Sequence, residues 1–157
     1  MSQTAVVHST FVLERTFPVP AERVFAAFAN PELKRKWFAD SRNHTIDEFT
    51  VDFRVGGLEC FRYRMGEHTP IAGMELAGEG TYLDIVENRR IVTGSWMSLA
   101  GRRISASLMT IELRPVEGGT EVISTHQGAF FEGSDGPAMR EEGWKQLLES
   151  LRTFLAG

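Results

Sequence analysis

Apolar and polar residues alternate with a period of two through six successive runs, about His44–Val51, Leu58–Met65, Gly73–Val86, Arg90–Leu99, Ile104–Arg114 and Thr120–Gly128. That alternation predicts strands with one face buried. Gly56-Gly57, Glu87-Asn88, Ala100-Gly101 and Glu117-Gly118-Gly119 separate the runs with residues suited to tight turns. Connections this short join antiparallel neighbours and leave no space for the helical crossovers of a parallel sheet. An earlier β-rich run, His8–Phe17, is stopped by Pro18 and Pro20, because proline cannot donate to a ladder.

The period changes to that of a helix in three places. Pro20 suits a first helical turn, and Val24, Phe25 and Phe28 then recur at helical spacing. Asn30-Pro31 ends this helix and starts another short one, with Asn30 as its N-cap and Leu33, Trp37 and Phe38 along it. A longer helix, opened by Asp135 and Pro137, runs from about Asp135 to Ala156, with Trp144, Leu147, Leu148, Leu151 and Leu155 on one stripe. The sheet is the one partner large enough to bury that stripe. The expected fold is α+β: a curved antiparallel seven-stranded sheet wrapped around a long C-terminal helix, with two short helices after strand 1. No repeat or linker divides residues 1–157, so a single domain is expected.

Composition narrows the function classes. A chain of 157 residues, 42% hydrophobic and 24% charged, is long enough to bury roughly 70% of its unfolded surface without staples. The net charge of −4 opposes nucleic acid and anionic membranes as partners. The basic clusters Lys34-Arg35-Lys36, Arg89-Arg90 and Arg102-Arg103 are scattered and read as solvated surface. A single cysteine, Cys60, leaves no internal disulfide and no cysteine-based zinc site, which suits a reducing cytoplasm. Met1 to Thr10 lacks a signal-peptide pattern, and no run approaches the ~20 apolar residues that cross a bilayer.

Several segments together resemble a known family. They are Pro20-Ala21-Glu22-Arg23-Val24-Phe25 through Asn30-Pro31-Glu32-Leu33 to Trp37; Asp52-Phe53-Arg54-Val55-Gly56-Gly57; Gly80-Thr81-Tyr82-Leu83-Asp84-Ile85-Val86; Gly118-Gly119-Thr120-Glu121; and Glu142-Gly143-Trp144 with Leu147, Leu148 and Leu151. In this order they resemble the bacterial relatives of the activator of the heat-shock-protein ATPase, within the START-like helix-grip (SRPBCC) superfamily. The resemblance implies a cavity between the concave sheet face and the C-terminal helix. The superfamily uses such cavities in lipid carriers, hormone receptors, polyketide cyclases and chaperone partners, so fold alone does not choose among them. The familiar activator joins a domain of this kind to a separate N-terminal domain, for which 157 residues leave no room, and this speaks against chaperone activation.

Candidate site residues come from the apolar and polarisable side chains near such a cavity. Phe28, Trp37, Phe61, Tyr63, Trp96, Met109, His126, Trp144 and Leu148 are the expected ligand-binding set, each with plain core packing as its rival role. His126 shares a strand face with Ser124 and Val122, and on an inward face it could bond a ligand or exchange protons. Arg62 and Arg64 are expected to pair with Glu75 and Glu79 on the next strand, or else Arg62 anchors an anionic head group. Gly143, inside the long helix, marks either close packing against a strand or space for a ligand. Asp52 to Gly57 reads as a turn device without the lysine of a phosphate loop.

No catalytic motif is present, and His8, His44, His68 and His126 are not spaced for a metal, so no cofactor, metal or catalytic residue is assigned. The leading expectation is a module that binds a small apolar or amphipathic molecule. Two alternatives stand beside it: a cyclase, aromatase or hydrolase using the same cavity, and a protein-interaction module that touches a chaperone. Weak self-association at most is expected, through an edge strand or the short helices.

Overall fold

The structure is a computed structural model that describes residues 5–157; part of the Met1 to Thr10 stretch lies outside the described residues. The strands are β1 (Val7–Phe17), β2 (His44–Val51), β3 (Leu58–Met65), β4 (Glu75–Val86), β5 (Arg90–Leu99), β6 (Arg102–Val116) and β7 (Gly119–Phe130). The helices are α1 (Ala21–Ala29), α2 (Pro31–Lys34) and α3 (Pro137–Ala156). All seven strands form one antiparallel sheet in the order β1-β7-β6-β5-β4-β3-β2. β2 to β7 therefore make a meander, and β1 returns to pair with β7. The sheet curves around α3, the helix-grip arrangement expected from the sequence.

Turn chemistry sets the register. Asn88, Ala100, Gly101 and Gly118 all adopt positive φ at the hairpin corners. The Asp52 to Gly57 segment is a structural turn: Asp52 N–H bonds Leu58 O at 2.9 Å, and Gly56 N–H bonds Tyr82 O at 2.7 Å. A Cβ on Gly57 would collide with the Asp52 carbonyl, which is why glycine stands there.

Two sequence expectations are corrected at the helices. Asp135 does not cap α3; Gly136 occupies the N-cap with φ 85°, Pro137 holds the first helical position, and the Asp135 carboxylate turns to Arg140 instead. The second short helix begins as expected, with Asn30 Oδ1 accepting from Glu32 N–H at 2.9 Å. It then continues as a π-helical turn, Arg35–Ala39, closed by Asp40 N–H to Arg35 O at 2.9 Å. This turn sends consecutive aromatics in different directions. Trp37 is buried and donates its indole N–H to Ala27 O at 2.9 Å, whereas Phe38 meets Trp144 with ring centroids 6.0 Å apart.

The core lies between the sheet and the helices. Leu148, Leu151 and Leu155 of α3 join Phe17, Val24, Phe28, Ile111, Leu113 and Val122 in one buried cluster. Burying each of these side chains contributes roughly 1.5–3 kcal/mol, so this cluster is the main anchor of α3.

Candidate functional site

The inward faces follow from the ladder. Across β4 to β7, Gly80 pairs with Ser95, Ser95 with Ser107, Thr93 with Met109, and Met109 with His126. Alternation then places Thr93, Ser95, Met97, Ser107, Met109, Ile111 and His126 on the concave face. On β3, Glu59, Phe61 and Tyr63 share that face. Phe61 lies over the neighbouring strand at Gly78, where any Cβ would collide with its ring.

Between this floor and the N-terminal half of α3 is a cavity of about 110 Å³. Its apolar wall includes Phe28, Phe38, Phe53, Phe61, Ile91, Met97, Met109, Ile111 and Trp144. Lys34, Glu59, Tyr82, His126 and Arg140 are its chief polar groups, with Thr93, Ser95 and Ser107 on the floor; Glu79 borders it from the ladder row of Trp96.

The larger polar groups are arranged as two self-contained clusters and one lone imidazole. Lys34 forms an ion pair with Glu59, and Glu59 Oε1 also accepts from Tyr82 Oη at 2.8 Å. Burial first, then the charge of Glu59 and this hydrogen bond, push the Tyr82 phenol far above its ordinary pKa, so it stays a donor. Lys34 also sits 4.5 Å from the centre of the Phe38 ring. Near the start of α3, Arg140 donates to both carboxylate oxygens of Asp135, each at 2.8 Å, and to Ser105 Oγ at 3.0 Å. Burial alone would raise the Asp135 pKa, but the bonds and charge of Arg140 outweigh it and hold the carboxyl below its usual range.

His126 is 3% exposed and stacks on Phe11 with centroids 4.7 Å apart. Its Nδ1 has no hydrogen-bond partner, and neither does the buried hydroxyl of Ser124 on the same face. Desolvation first, and the Arg140 charge second, push its pKa down to about 4, so the imidazole is neutral near pH 7.

Among the residues expected at the site, Phe28, Phe61, Met109, His126 and Trp144 meet around the cavity. Trp96 borders it along the strand, but alternation with Ser95 and Met97 turns its indole to the convex face, where the Arg103 guanidinium lies 3.6 Å over the ring. Trp37, Tyr63 and Leu148 are not part of the cavity wall. Trp37 supports Phe28 from behind, Leu148 is fully buried core, and Tyr63 stacks on His44 at 4.0 Å with its hydroxyl buried and unpartnered. Burial, then Glu59, raises the Tyr63 pKa well above its ordinary value.

Arg62 and Arg64 are exposed and pair across the strand, but with Glu48 and Asp47 of β2, each at 3.3 Å, rather than with Glu75 and Glu79. Gly143 is also corrected: nothing lies within 4 Å of a Cβ placed on it, so no strand packs there. The cavity residues not anticipated from sequence include Lys34, Glu59, Tyr82 and Arg140. Arg140 had one readable sign, since it stands four residues before Trp144 and eight before Leu148 on the inward stripe of α3. Among the described residues no cluster of histidine, cysteine or carboxylate side chains could hold a metal ion, and no helix is long and apolar enough to cross a membrane.

The sequence pattern of the family "Activator of Hsp90 ATPase homolog 1-like protein" matches residues 18–156. No curated protein matches the chain. An uncharacterized protein from Rhizobium leguminosarum is 35% identical over 99% of each chain, with a TM-score of 0.90. A protein from Rhizobium loti is 42% identical over 96% of this chain and 99% of its own, with a TM-score of 0.84. An AHSA1-like protein from Aeromonas hydrophila, 20% identical with a TM-score of 0.68 over 94% of this chain and 92% of its own, shares the fold. With the helix-grip architecture and a family match over almost its whole length, the chain belongs to the Activator of Hsp90 ATPase homolog 1-like family.

Proposed function

We propose that the protein binds a small, largely apolar molecule between the concave face of the sheet and the N-terminal half of α3. The observation that carries this reading is the cavity itself, a gap in an otherwise close-packed interior, walled by aromatic and thioether side chains. Its size limits the occupant. A volume of about 110 Å³ is well below the roughly 300 Å³ at the lower end of drug-sized pockets, and nearer the roughly 150 Å³ cavity that accepts benzene. The part of the ligand that enters is therefore ring-sized, and a longer molecule needs Phe38, Met97 or Trp144 to move aside.

Binding is favoured over catalysis because the carboxylates of the two polar clusters are committed to cations, which leaves His126 as a lone imidazole with no free carboxylate to work with it. Glu59 is held by Lys34 and Tyr82, and Asp135 by Arg140, so neither carboxylate is free to abstract a proton. The cavity is likewise the feature that favours a small molecule over a chaperone surface as the partner.

The test is an NMR titration of the isotope-labelled protein with small cyclic hydrocarbons, repeated on Ser107→Leu, which fills the floor of the cavity. Shift changes centred on Met109, Trp144 and Phe61 in the wild type, and at least tenfold weaker binding in the variant, are expected. Shift changes on the convex face, or binding unaltered by Ser107→Leu, contradict the reading.

A further inference from the structure

The cavity also carries information about the polar end of its ligand. Resting on the binding reading above, we propose that the ligand presents a neutral hydrogen-bonding group, a hydroxyl or carbonyl, to His126, and that the site discriminates against carboxylates and ammonium ions.

Both fixed cations at the cavity already have an anion: Lys34 has Glu59, and Arg140 has both oxygens of Asp135. Each cluster is closed and close to neutral. A carboxylate entering beside Arg140 meets the Asp135 charge, and an ammonium entering beside Glu59 meets Lys34. Glu79, the remaining carboxylate that borders the cavity, lies opposite Trp96 on the ladder and turns with it to the convex face. Either ion would therefore leave water without an uncommitted counter-charge inside, which is the costly way to bury a charge.

His126 borders the cavity, is 97% buried and, among the described residues that line it, is the one whose side-chain nitrogen is buried without a partner. Phe11 stacks on its ring, 5° from parallel, and Phe130 lies 28° from it at 6.0 Å, so these aromatics fix the ring but satisfy neither nitrogen. Native interiors rarely leave such a group unpaired. A neutral imidazole offers one donor and one acceptor. A hydroxyl can pair with the unpartnered Nδ1 in either tautomer and a carbonyl when Nδ1 carries the proton, and the hydrocarbon remainder of either lies against Met109, Ile111 and Trp144.

The test measures dissociation constants of the full chain at pH 7.5 for cyclohexanol, cyclohexanecarboxylate and cyclohexylammonium, together with the imidazole ¹⁵N shifts of His126. Cyclohexanol is expected to bind about tenfold tighter than either ion, about what one hydrogen bond supplies, and to move the His126 nitrogen shifts while the ring stays neutral. His126→Phe should weaken cyclohexanol about tenfold. Should that variant not fold, the wild-type ranking and the nitrogen shifts decide alone. Binding of either ion as tight as that of the alcohol, or unmoved His126 nitrogens, overturns the neutral-head inference and leaves the cavity reading standing. Binding of none of the three overturns both.

Discussion

The two halves of α3 face the same sheet and behave differently. Leu148, Leu151 and Leu155 of the C-terminal half are almost wholly buried in one cluster with Phe17, Val24 and Val122. The N-terminal half presents Arg140 and Trp144 to the cavity, and Trp144 remains partly exposed. One helical stripe therefore serves two purposes. Where leucines meet large inward residues the interior closes; where the floor carries Ser95, Ser107 and Gly80, it does not. Small residues on a floor under an aromatic roof leave the volume, while the leucine half supplies stability independently of it.

The sharpest way to break this comparison is to truncate one residue from each half. Leu151→Ala should cost about 2–5 kcal/mol in chemical denaturation, because the closed half cannot collapse around a missing side chain. Trp144→Ala should cost markedly less, since its side chain already borders open volume. Equal losses would show that the two halves are packed alike.

Acid should act on the cavity half. His126 has a folded pKa of about 4 against an ordinary value of 6.5, so the unfolded chain binds more protons between these values and stability falls as pH drops through that window. The loss is up to about 3 kcal/mol, followed by urea midpoints from pH 7.5 to 4, and His126→Phe should flatten it. Asp135, held below the usual carboxylate range, adds a loss at still lower pH. An unchanged pH slope in His126→Phe would contradict the neutral, buried imidazole.

Smaller effects sharpen the picture. Tyr82→Phe removes one donor to Glu59 and should cost about 1 kcal/mol without altering the leucine half. Gly143→Ala should stabilise by up to about 1 kcal/mol, read as a rise in the thermal midpoint, since the position is helical and open space lies beside it. A loss in Gly143→Ala would mean that the glycine serves a contact.

The legibility of the sequence divides along the same line. Alternation and turn residues placed β2 to β7, β-rich composition before Pro18 placed β1, and the leucine spacing placed α3, because these are local properties. The direction of Trp96 was not readable: Ile91, Thr93 and Met97 on one face of β5 are no more apolar than Val92, Gly94 and Trp96 on the other, so the pattern does not say which face is inside. The Lys34–Glu59 pair joins the end of α2 to β3 across 25 residues, and no spacing rule announces such a partner. Tyr63 shares its face with Phe61 but lies two residues further along β3, under His44 rather than at the cavity.

The central claim, that the cavity holds a small apolar molecule, is tested most directly by native mass spectrometry of protein purified from its own host, followed by denaturation and identification of whatever is released. The account predicts one small molecule bound stoichiometrically, lost in Ser107→Leu. An empty protein, which a broad set of small apolar compounds also fails to stabilise against heat, would contradict it.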